Sequence, residues 1–132
     1  MARTEIPVQV LDWDDEPFPT EKTYQAFNCS TTSDFYVEES YLGEGGKLIF
    51  RAVISDSSTD DTLTVKAGDG MRSGMGDIEW TSLTGAAENV VIGPLDTSRF
   101  KVQNSSTEKG HLLVDVAGSR LAGTIVAYKL PR

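Results

Sequence analysis

The stretch Leu121-Ala-Gly-Thr-Ile-Val-Ala-Tyr-Lys-Leu-Pro-Arg132 decides the fold class. Along an extended backbone Val126, Tyr128 and Leu130 fall on one side, and Ile125, Ala127 and Lys129 on the other. Period-two alternation of this kind marks a strand, and β-branched Thr124, Ile125 and Val126 strengthen it. The opening residues Met1–Leu11 also read as extended, with Pro7 between Ile6 and Val8. Strand-like segments therefore stand at both ends of the sequence, and no long helical pattern lies between them.

Working inward, Lys47-Leu-Ile-Phe-Arg-Ala-Val-Ile54 is the clearest internal strand. Leu48, Phe50, Ala52 and Ile54 share one face, while Lys47, Ile49, Arg51 and Val53 share the other. A polar connector, Ser55–Asp60, leads into Asp61–Ala67, where Leu63, Val65 and Ala67 point one way. These two strands are expected to form a hairpin with one half-buried face. Further strand candidates are Phe35–Val37, Asp77–Thr81, Asn89–Ile92, Arg99–Asn104, His111–Val116 and Thr124–Leu130. Turn signals at Gly93-Pro94, Asn104–Ser106, Lys109-Gly110 and Ala117-Gly118 separate several of them. About eight short strands with turns at this spacing predict an all-β fold, an antiparallel, jelly-roll-like sandwich with little helix. The expected core is Leu48, Phe50, Val65, Val91, Phe100, Val102, Leu113, Val126 and Tyr128.

Residues 12–33 lose this periodicity. Asp12-Trp-Asp-Asp-Glu16 is acidic, Pro17 and Pro19 remove backbone donors, and Ser30–Ser33 is polar. Thr20–Phe27 could carry one helical turn with Thr20 as its cap. Residues 1–33 accordingly read as an extended N-terminal arm and cover segment, and residues 34–132 as the sandwich of a single-domain chain. Within the arm, Ile6, Val8, Val10 and Leu11 offer an apolar strip, with Gln9 opposite and Arg3 and Trp13 flanking it. Such a strip can add to an exposed sheet edge, either the chain's own strand Thr124–Leu130 or an edge on a partner subunit.

Composition narrows the function classes. At 132 residues, with 39% hydrophobic and 24% charged residues, the chain can build a core without staples. Its net charge of −8 argues against nucleic-acid binding, which needs clustered Lys and Arg. No apolar run is long enough for a membrane helix, and the start lacks a signal-peptide pattern, so folding in a reducing cytoplasm is expected. Cys29 is alone, so no internal disulfide can form, and it reads as a small packed residue.

Chemistry-bearing motifs are weak. Gly68–Gly76 holds four glycines but lacks the Gly-Lys-Ser/Thr of a phosphate loop, and reads as a surface loop. The clusters Asp12, Asp14, Asp15, Glu16 and Asp56, Asp60, Asp61 lack calcium-loop spacing and read as solvated charge. His111 is the only histidine, which rules out a multi-histidine metal site within one chain. Twenty acidic residues make chance carboxylate pairs unavoidable, so they signal no glycosidase. Trp13, Tyr36, Tyr41 and Trp80 could line a carbohydrate platform, although packing accounts for most aromatics in small β proteins. No catalytic residue, metal or cofactor is expected, and no enzymatic activity.

Several of these segments together resemble a known group. Met1-Ala-Arg-Thr-x-Ile-Pro-Val, Lys47-Leu-Ile-Phe50, Ile92-Gly-Pro-Leu-Asp-Thr-Ser-Arg-Phe100 and Val126-Ala-Tyr-Lys-Leu130 are similar to stretches of small structural proteins of tailed bacteriophages. That group comprises head decoration (cement) proteins and other minor virion proteins. The resemblance implies a capsid decoration protein on the exterior of the virion, made in the host cytoplasm. Its implied partners are the major capsid protein and neighbouring copies of itself, with a trimer as the expected assembly, and neither nucleic acid nor membrane. Arg3, Ile6, Val8, Val10, Leu11 and Trp13 would then meet the shell or a neighbour. The acidic insert Asp12–Glu16 and the Gly68–Gly76 loop depart from the group's pattern. Alternative roles are a tail, connector or fibre component, or a carbohydrate-binding sandwich.

Overall fold

The computed structural model describes residues 3–11, 24–38, 47–68, 76–82, 88–96 and 110–130, with the side chains of Glu88 and Asp96 set aside. Ten strands cover most of them, and no helix occurs among the described residues. In chain order they are β1 (Thr4–Glu5), β2 (Val8–Val10), β3 (Gln25–Asn28), β4 (Asp34–Val37) and β5 (Lys47–Asp56). The remainder are β6 (Thr62–Val65), β7 (Ile78–Thr81), β8 (Glu88–Asp96), β9 (Leu112–Ala117) and β10 (Ala122–Lys129).

The pairing has a simple logic. β6 pairs with β7, β5 with β8, β4 with β9 and β3 with β10, all antiparallel. The chain thus runs out and back as one long hairpin whose pairs nest around the β6–β7 connection. Rolling that hairpin brings β6 beside β9 and β5 beside β10, again antiparallel. Two sheets result: sheet A with β4-β9-β6-β7, and sheet B with β3-β10-β5-β8. This is the order of a double-sheet jelly roll. The predicted β-sandwich is therefore present.

The N-terminal segment completes both sheets. β1 lies parallel to β4 at the edge of sheet A, and β2 lies parallel to the second half of β10 in sheet B. Between them Ile6 crosses from one sheet to the other and is fully buried. Its backbone N–H donates to the Tyr36 carbonyl (2.9 Å), and the Pro7 carbonyl accepts from Ala127 (3.0 Å). The described part of residues 1–33 is thus three strands of the sandwich rather than a free arm. Of Thr20–Phe27, where the sequence allowed one helical turn, the described residues Gln25–Phe27 belong to strand β3 against β10, because the edge of β10 leaves backbone groups to satisfy.

The core fills the space between the sheets. Leu48, Phe50, Ala52, Ile54, Ile125 and Ala127 project from sheet B toward Phe35, Val37, Leu63, Val65, Leu112, Val114 and Val116 of sheet A. Burying each large side chain contributes about 1.5–3 kcal/mol, so these rows outweigh any surface ion pair. Within sheet B, β10 and β5 approach closely at one point. A Cβ on Gly123 would lie 2.0 Å from the Val53 carbonyl oxygen, at the register shift between Ala122 and Gly123.

Three expectations are corrected. The strands Lys47–Ile54 and Asp61–Ala67 do not form a hairpin: β5 belongs to sheet B and β6 to sheet A, with their apolar faces opposed across the core. Val91 is 65% exposed, because Val90 and Ile92 take the inward positions of β8. Leu113 and Val126 are buried but stand apart from the central cluster on the outward positions of their strands, and Tyr128 beside Ile49 is only half-buried there. Phe100, Val102 and the candidate strand Arg99–Asn104 lie outside the described residues.

Candidate functional site

Because inward positions are given to the core, each sheet presents its alternate residues to the outside, and the two outer faces differ in chemistry. On sheet A the register aligns Asp34 with Asp115, Thr64 and Glu79, and Glu5 with Tyr36 and Leu113. With Glu38 and Asp77 at the margins, this face carries the carboxylates of Glu5, Asp34, Glu38, Asp77, Glu79 and Asp115. Arg3 and Lys66, the cations of this face among the described residues, are both engaged. Arg3 donates to Asp115 at 2.5 Å, and Lys66 lies 3.8 Å from Asp77. The Tyr36 ring stacks on His111 with centroids 4.4 Å apart. Burial, and then the charges of Glu5 and Glu38, push the Tyr36 phenol above its ordinary pKa.

The outer face of sheet B is apolar. Across it Val126 aligns with Arg51 and Val91, Thr124 with Val53 and Asn89, and Gln9 with Tyr128 and Ile49. These central rows hold Ile49, Val53, Val91, Val126 and Tyr128 around one arginine, and no acid. Gln9 Oε1 is buried without a hydrogen-bond partner in this face. A solvated sheet face normally reads polar at such positions; here Val126 is 2% exposed, Ile49, Val53 and Tyr128 are half-buried, and Val91 is openly exposed.

One end of the sandwich is locked by a buried carboxylate. Asp61, 2% exposed, accepts hydrogen bonds from the backbone N–H groups of Ser58 (2.8 Å), Ser119 (2.8 Å) and Arg120 (3.2 Å), and from the Ser58 hydroxyl (3.1 Å). Burial alone would raise its pKa, but these donors outweigh burial and hold the carboxyl below its ordinary value. Asp61 thereby ties the β5–β6 connection to the β9–β10 turn, and Arg120 adds a pair with Asp56 at 2.9 Å. Asp61, expected from sequence to be solvated charge, is thus buried, because backbone N–H groups replace water around its carboxylate. The other acidic cluster, Asp12–Glu16, lies outside the described residues.

The structure separates the residues singled out from sequence. Ile6 is core, and Val8 packs against the core. Arg3 is taken up by Asp115 and the Phe35 carbonyl. Leu11 is half-buried, its N–H donating to Lys129, and Val10 is 53% exposed. Trp13 lies outside the described residues. Of the strip, Val10 alone presents substantial apolar surface among the described residues. Of the four aromatics that could line a carbohydrate platform, Trp80 packs against the core, Tyr36 is stacked on His111, and Trp13 and Tyr41 lie outside the described residues. What sequence reasoning missed is the outer face of sheet B. Its signal was Ile49, Arg51 and Val53, a second face of β5 too apolar for a solvated strand.

No helix of the described residues is long and apolar enough to cross a membrane. Comparison with protein families, with curated proteins and with solved structures finds no match. Function has to be read from the surfaces themselves.

Proposed function

We propose that this protein is a bacteriophage capsid decoration protein, which docks on the outside of the assembled head through the outer face of sheet B. The observation that carries the proposal is the chemical asymmetry of the sandwich. One outer face is apolar at its centre, and the opposite one is acidic and threonine-rich. The apolar face suits a dry contact with a protein surface, and the acidic face suits display to solvent, where it keeps particles apart. The resemblance of the terminal and central segments to phage virion proteins supplies the choice of partner, the major capsid protein.

The mechanism is mass action. A protein that binds only the assembled shell stabilises that shell over its alternatives. Many modest contacts become collectively strong when copies also touch one another. The jelly roll serves as a rigid spacer, its loops locked at one end by Asp61, and the role is architectural rather than catalytic.

Purified protein added to heads that lack it should co-sediment with them and raise their resistance to heat and to chelator. Absence of binding, or binding with no gain in resistance, would overturn the proposal.

A further inference from the structure

We draw no further inference here: the strongest candidate, the acidic outer face of sheet A around the stacked Tyr36 and His111, carries nothing, because no second feature among the described residues points to a ligand for its carboxylates.

Discussion

Gly118 stands against the carboxylate of Asp61 so closely that a Cβ there would lie 2.0 Å from Oδ1. Its φ of +140° is also one that side chains rarely adopt. The turn between β9 and β10 is thus shaped to bring the Ser119 and Arg120 N–H groups onto a buried acid. Gly118→Ala should break that fit and cost on the order of 1–3 kcal/mol, read as a lower urea midpoint. Asp61→Ala should cost a comparable amount, since it removes the acceptor of three part-buried backbone donors.

The same acid sets the pH dependence. Asp61's pKa is lower in the folded chain than in the unfolded one, where it is about 3.9. Its contribution is therefore complete above that unfolded value and is lost as pH falls through the folded value. At the alkaline end Tyr36 acts in the opposite sense. Its raised folded pKa favours folding below about pH 10 and is lost as pH rises through the folded value. Chemical denaturation across pH should give a shallower acid slope for Asp61→Asn and a shallower alkaline slope for Tyr36→Phe.

Core packing should dominate stability. Phe50, 1% exposed, faces the centre of the sandwich, and Phe50→Ala should cost about 3–5 kcal/mol. Ile6→Ala should cost about 2–5 kcal/mol, the mark of a strand that closes the sandwich and not of a free arm. Val10→Ala should change stability little, and Arg3→Ala by about 1 kcal/mol. Deleting residues 2–12 should therefore unfold or strongly destabilise the chain, as a thermal melt would read out.

Much of this fold was legible because period-two runs are hard to mistake. Lys47–Ile54 alternates cleanly and is a strand with its expected inward residues in the core; Thr124–Leu130 lies on a strand too, but Ile125 and Ala127 take the inward positions expected of Val126 and Tyr128. Where alternation fails, the reading slipped. Val90-Val-Ile92 and Leu112-Leu-Val114 are apolar without a break, so nothing local chooses the inward set, and a shift of one residue exchanges the faces. That is why Val91 and Leu113 were expected in the central core in place of Val90 and Leu112. Partnering was hidden for another reason. An apolar face on β5 and another on β6 suit a hairpin as well as two opposed sheets, and only the long-range pairs β5–β10 and β6–β9 decide between them. The outer face of sheet B was hidden in the same way, because Ile49 and Val53 share a face with Val91 only once β8 and β10 flank β5.

The two outer faces should respond differently to substitution. Ile49→Asp or Val53→Asp places an acid in the apolar rows of sheet B and should abolish binding to heads while circular dichroism stays native. Glu79→Lys on sheet A should leave binding intact. Co-sedimentation of each variant with heads lacking the protein separates the faces.

The most direct measurement is a reconstructed image of heads with and without the protein, at a resolution that distinguishes the two sheets. The account predicts added density on the outer shell, with Ile49, Val53 and Tyr128 of sheet B toward the capsid and Glu79 and Asp115 of sheet A toward solvent. Added density with the acidic face against the shell, or no added density on the head, would contradict it.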